Sequence, residues 1–216
     1  MAVTRRSLLV GAVAVAVAVA FADSSIVVLA LPELYATFDT TIEGVAWVIT
    51  SYNLVLAVCA LALVLVAHRI RANLLLAAGT IVFLAASIAC ALSDSIAFLI
   101  AARSVQGLGG ALLLAGSLPV LGALTGSTAR GVGIWTVAGT FGAAVGPALG
   151  GVLTEVFDWR AIALPIVAAA AVVAAGRYAL RPALRVIAAT RAQDAFTAAA
   201  LLVVVGTALL FESVGL

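Results

Sequence analysis

Two charged side chains fall inside otherwise apolar stretches of the chain, Asp23 and Arg103. An ionisable group at membrane depth is costly, so it marks a functional site with a partner to be named. These two have opposite signs. A carboxylate and a guanidinium that face each other in a bundle interior lower the cost of burying both. Such a carboxylate can also trade its arginine for a proton or a cationic substrate, and that exchange can couple proton movement to a change of shape. The bland alternative is a static ion pair that only fixes helix packing.

Little else in the chain carries chemistry. His68 is the single histidine, and Cys59 and Cys90 both sit in apolar stretches. With no Cys/His cluster, neither a metal site nor a disulfide is expected. An intramembrane enzyme needs a nucleophile and a base, or a metal set, at one depth. His68 stands alone near a loop, so no catalytic residue, cofactor or nucleic-acid partner is expected.

The elements that must hold the pair are membrane spans. Hydrophobic residues make up 66% of the 216 residues and charged ones 9%, with a mean hydropathy of +1.32. Soluble domains carry about 25% charged residues, so this is an integral membrane protein with the lipid bilayer as its first partner. Seven stretches reach the roughly 20 apolar residues a spanning helix needs: 7–31, 44–67, 73–93, 96–122, 131–154, 160–181 and 195–214. The basic residues are all arginine, and Arg5, Arg6, Arg69, Arg71, Arg130, Arg177, Arg181, Arg185 and Arg191 fall in alternate loops. The other loops hold Glu33, Asp39, Glu43, Asp94, Glu155 and Asp158, with Arg160 as the one basic exception. The positive-inside rule then places the N-terminus in the cytoplasm. Thr4-Arg5-Arg6-Ser7 and Ala20-Phe21-Ala22 imitate a cleavable twin-arginine signal, but apolar character resumes after Ser25 and completes a full span.

This topology gives the pair a common depth. Asp23 lies nine residues before Pro32 at the outer end of span one, or about 13 Å deep at 1.5 Å per residue. Arg103 lies eight residues after Ser95 on the descending span four, or about 12 Å deep from the same face.

Around these residues the sequence becomes specific. Span one ends Asp23-Ser24-Ser25-Ile26-Val27-Val28-Leu29-Ala30-Leu31-Pro32. Span two opens Trp47-Val48-Ile49-Thr50-Ser51-Tyr52-Asn53-Leu54, and span four carries Arg103-Ser104-Val105-Gln106-Gly107. Span five carries Gly142-Ala143-Ala144-Val145-Gly146-Pro147-Ala148-Leu149-Gly150-Gly151, and Asp158-Trp159-Arg160 opens span six. In this order and spacing the chain resembles the major facilitator superfamily, and within it the 14-helix drug:proton antiporter branch. The resemblance implies an all-α integral membrane fold: a six-helix N-terminal bundle over 1–181, a cytoplasmic linker over 182–194 and a seventh span over 195–216. It implies proton-coupled efflux of drug-like or natural-product small molecules across the cytoplasmic membrane, with small-molecule substrate and protons as further partners.

Roles for single residues follow from that likeness and from residue type. Asp23 and Arg103 are the candidates for proton or cation coupling. Trp47, Tyr52, Asn53 and Gln106 are candidates for the substrate cavity. Trp47 is equally suited to anchoring at the interface, and Asn53 and Gln106 to hydrogen-bonding a neighbouring helix. Gly142, Gly146 and Gly150 recur every four residues, so they share one helix face and admit a close neighbour. With Pro147, which removes a backbone hydrogen bond, and Gly151 they form the candidate antiporter hinge.

The likeness departs in two places. The family carries G-x-L-x-D-R-x-G-R in the cytoplasmic loop between spans two and three. Here the loop reads Val64-Leu65-Val66-Ala67-His68-Arg69-Ile70-Arg71. Arg69 is kept, His68 stands where the family has Asp, and the latch is rebuilt around His68, relaxed or lost. The sequence also holds seven spans where the branch has 14. Three explanations stand: a fragment of a longer protein, a half-transporter paired with itself or with a second half in trans, or a truncated or degenerate product that does not transport and serves as a binding or scaffold subunit, or has no function. Fragment or truncation is the favoured expectation.

Overall fold

Caps and turns divide the chain where the apolar runs end. The computed structural model describes residues 2–156, and these are entirely helical apart from short turns. Helix α1 (Ala2–Ile26) passes into a 3₁₀ turn (Val27–Ala30) and a short helix α2 (Leu31–Phe38), which ends at Asp39 in a left-handed conformation, φ 43°. Helix α3 (Ile42–Val66) starts at Thr41, whose hydroxyl accepts from the Gly44 amide at 3.1 Å. A 3₁₀ turn (Ala67–Arg69) leads to α4 (Ala72–Ala91). Helix α5 (Ile96–Thr125) is capped by the Ser95 hydroxyl and closed by Gly126 at φ 68°. Only glycine adopts that angle at little cost. Helix α6 (Thr128–Val156) follows directly.

The first five expected spans correspond to α1, α3, α4, α5 and α6. Ile42–Arg69, Ala72–Ala91, Ile96–Thr125 and Thr128–Val152 are long and apolar enough to cross a membrane, and Leu9–Ser25 forms a shorter apolar helix. The protein is thus a multi-pass membrane protein of the all-α class. The expected spans at 160–181 and 195–214, the linker over 182–194, and Asp158, Trp159 and Arg160 lie outside the described residues. One element departs from the sequence reading. The interruption from Pro32 to Glu43 contains α2, which begins with Pro32 in its first turn, where the missing amide hydrogen costs nothing. Leu34 anchors this helix in the core.

Helix α5 packs against α1, α3, α4 and α6, and Gly107, Gly109, Gly110 and Gly116 are buried along it. One apolar cluster, built on Val27, Leu34, Val45, Val48 and Leu99, fills the end nearest α2. Another, built on Val13, Val120 and Leu121, fills the opposite end. Leu61, Val64 and Leu65 of α3 and Ile81 of α4 project outward. This inverts a soluble surface and suits lipid contact.

Candidate functional site

Between the two apolar ends, four helices each contribute polar side chains to one buried cluster. Residues three or four apart share a helix face, and α3, α4 and α5 use that spacing. Arg103 and Gln106 come from α5, Ser87 and Cys90 from α4, and Val48 and Tyr52 from α3, with Asp23 on α1. Asp23 is 5% exposed, Arg103 2%, and Gln106 and Tyr52 0%.

Arg103 Nη1 donates to Asp23 Oδ2 at 2.6 Å and to Gln106 Oε1 at 2.6 Å. Gln106 Nε2 donates to Asp23 Oδ1 at 3.1 Å and to Ser87 Oγ at 2.7 Å. The amide orientation is forced, because arginine has no acceptor and Oε1 must face it. The Cys90 thiol donates to the same Oε1 at 3.7 Å, and Arg103 Nε donates to the Val48 carbonyl at 3.4 Å. Each Asp23 oxygen thus has its own donor. The ion pair is made through a single nitrogen and not through the two-pronged fork that arginine and carboxylate usually prefer. The guanidinium carbon lies 4.4 Å from the centre of the Tyr52 ring. The Tyr52 hydroxyl donates to the Ala20 carbonyl on α1 at 3.1 Å.

Glycines let these helices come close enough. A Cβ on Gly107 would lie 2.5 Å from the Tyr52 carbonyl oxygen, and one on Gly110 would lie 3.2 Å from the Tyr52 hydroxyl. On α6 the small-residue face meets α1, the helix of Asp23. Gly142 abuts the Ala18 carbonyl, and a Cβ on Gly146 would lie 2.8 Å from the Ala22 carbonyl. Gly150 is buried and Gly151 half-buried, and Pro147 lies inside a continuous α6.

The four residues expected to line a cavity do not converge. Gln106 and Tyr52 are at the centre of the polar cluster, whereas Trp47 is 45% exposed and Asn53 is also exposed. Asn53 Nδ2 donates back to the Ile49 carbonyl of its own helix at 3.2 Å. In the loop, Arg69 Nε donates to His68 Nε2 at 3.4 Å, and both residues are exposed. Sequence reasoning missed Ser87 and the contact of Cys90, which it placed only in an apolar stretch. Their three-residue spacing on α4 was the one available signal, and it is common to any helix face.

This arrangement is a buried carboxylate held by one arginine and one amide, at the meeting point of α1, α3, α4 and α5. The family model described as Major Facilitator Superfamily matches residues 13–213. The chain belongs to that superfamily. Known members resemble it in part. Multidrug resistance protein Stp of Mycobacterium tuberculosis is 37% identical over 145 residues, covering 66% of this chain and 27% of that protein. Drug efflux pump JefA of the same organism is 33% identical over 172 residues, covering 78% of this chain and 34% of JefA. A methylenomycin A resistance protein of Bacillus subtilis is 36% identical over 154 residues, 68% of this chain and 33% of the relative. This major facilitator chain therefore spans about a third or less of the length of the curated relatives it matches. Membership makes it a transporter-family membrane protein.

Proposed function

We propose that this chain supplies the N-terminal bundle of a proton-coupled exporter of drug-like or natural-product molecules. The observation that carries this reading is the buried Asp23–Arg103–Gln106 cluster. Relatives whose names refer to multidrug resistance, drug efflux and methylenomycin A resistance support the class of substrate. The bundle occupies 1–181, followed by a linker over 182–194 and a seventh span over 195–216. It sits in the cytoplasmic membrane with the N-terminus on the cytoplasmic side.

In this mechanism Asp23 is the group that takes up and releases the proton. With its carboxylate ionised, Arg103 and Gln106 hold it in the closed cluster. Protonation cancels the charge that binds Arg103, and the helices carrying the two residues become free to shift against each other. Gly142, Gly146, Pro147, Gly150 and Gly151 form the seam on which that shift turns, since Gly142 and Gly146 press directly on α1. Trp47 and Asn53, exposed on α3, face substrate or lipid. The second half of the cavity comes from further spans, from a separate chain or from a second copy.

The test is efflux from vesicles under an imposed pH gradient, comparing the natural protein with Asp23→Asn. Loss of gradient-driven efflux at unchanged membrane abundance supports the coupling role, and retained efflux overturns it. A second reading, a non-transporting binding or scaffold subunit in which the ion pair is a static brace, is favoured by one observation. His68 replaces the family's loop aspartate and pairs only weakly with its neighbour Arg69.

A further inference from the structure

Arg103 has five N–H donors and no way to become neutral. Nη1 makes two short bonds and Nε a long one, while Nη2 is buried with no hydrogen-bond partner among the described residues. A buried donor left unmatched is expensive, so something else must make this position tolerable. The candidate on the page is the Tyr52 ring, 4.4 Å from the guanidinium carbon. That is well inside the roughly 6 Å reach of a cation–π contact, which gains strength when desolvated.

The ring is also fixed in place. Its hydroxyl is tied to the Ala20 carbonyl on α1. Gly107 and Gly110 of α5 leave room for Tyr52 and nothing more, as a Cβ at either would press on its carbonyl or its hydroxyl. Tyr52 therefore spans the three helices that carry the ion pair and its support.

We infer that Tyr52 is the positioning residue of the pair: its ring face carries the Arg103 guanidinium and keeps it seated when Asp23 is protonated. This rests on the coupling role proposed for Asp23. The sequence offered Tyr52 as a candidate for a substrate cavity, and its full burial against Arg103 points to this task. Besides the neutral Gln106, the charged and titratable groups around Asp23 among the described residues are Arg103 from α5, Tyr52 from α3 and, through Gln106, Cys90 from α4. Helix α6 meets α1 here through Gly142 and Gly146, which carry no charge. When Asp23 becomes neutral, Arg103 loses its counter-charge among the described residues, and the ring remains beside it with the Gln106 and Val48 oxygens. The ring contact must therefore count for more in the neutral state than in the ion-paired one.

The test is a melting experiment on the purified full chain in detergent, carrying Cys59→Ala so that a thiol-reactive dye reports exposure of the buried Cys90. Tyr52→Phe is compared with phenylalanines bearing one and three ring fluorines at the same position. Fluorine drains the ring's negative face at nearly constant shape. Each protein is made with Asp23 and with Asp23→Asn, a mimic of the protonated carboxyl. The expected result is a midpoint that falls stepwise with fluorination, and falls at least about twice as far in the Asp23→Asn background. No fall makes Tyr52 a space-filler, and an equal fall in both backgrounds makes the ring contact indifferent to the charge on Asp23; either result overturns the inference. Gradient-driven efflux that survives Asp23→Asn overturns the coupling role separately, and the positioning role with it, whatever the melts show.

Discussion

Gln106 donates to Asp23 Oδ1 at 3.1 Å from the same amide whose oxygen accepts from Arg103 Nη1 at 2.6 Å. It therefore stands between the two charges as a neutral bridge, and Ser87 and Cys90 bond to the same amide. Gln106→Leu keeps the volume roughly but leaves Asp23 Oδ1 without its donor. A hydrogen bond to a charged group contributes about 1.5–3 kcal/mol. Thermal unfolding in detergent should show that loss, and an unchanged midpoint would mean the bridge contributes nothing.

Asp23 and Arg103 should be far more costly to lose singly than together. Arg103→Leu leaves a buried carboxylate without a counter-charge, a loss of about 3–5 kcal/mol, whereas replacing both members of a buried pair by apolar residues is often near neutral. The double variant Asp23→Leu/Arg103→Leu should therefore unfold at a higher temperature than Arg103→Leu alone. It should also show no gradient-driven efflux. Stability regained without transport would separate the structural share of the pair from its coupling share. A double variant that still transports would refute coupling.

Much of this was legible in the sequence for a physical reason. A charge inside an apolar run is rare and expensive, so Asp23 and Arg103 stood out, and counting residues along spans of alternating direction gave both a similar depth. The five spans followed from length and hydropathy alone, as a helix in lipid must satisfy its backbone internally. Tyr52 was legible only as a cavity candidate, because a tyrosine in an apolar run looks the same whether it faces a cavity or a guanidinium. That choice depends on the rotation of α3 against α5, which Gly107 and Gly110 set by their lack of side chains. The α2 helix was hidden because Pro32 reads equally well as a break and as a first-turn residue.

The glycines of α6 divide into those that touch and those that do not, and this predicts opposite effects of one substitution. Gly142 lies against the Ala18 carbonyl of α1, whereas a Cβ on Gly133 would meet nothing within 4 Å. Gly142→Ala forces α1 and α6 apart, with a cost of about 1–3 kcal/mol typical of overpacking. Gly133→Ala should instead stabilise by about 0.4–1 kcal/mol through the smaller entropy of the unfolded chain. Melting midpoints moving in opposite directions would confirm the α1–α6 seam. A neutral Gly142→Ala would remove it from the proposed hinge.

The orientation in the membrane can be read from two exposed sites. Arg6 donates to the Leu124 and Ala123 carbonyls, so the start of α1 and the end of α5 lie at one end of the bundle. An arginine at a helix C-terminus also suits the negative end of the helix dipole. Arg71 and Arg130 precede and open α4 and α6, and α2 with Glu33 lies after the far end of α1. With Cys59→Ala and Cys90→Ala as the background, single cysteines go in as Ala36→Cys on α2 and Arg71→Cys before α4, both at exposed positions. A membrane-impermeant maleimide added to intact cells should label Ala36→Cys and spare Arg71→Cys until the cells are opened. The reverse pattern would put the arginine loops outside and invert the direction in which Asp23 could carry a proton.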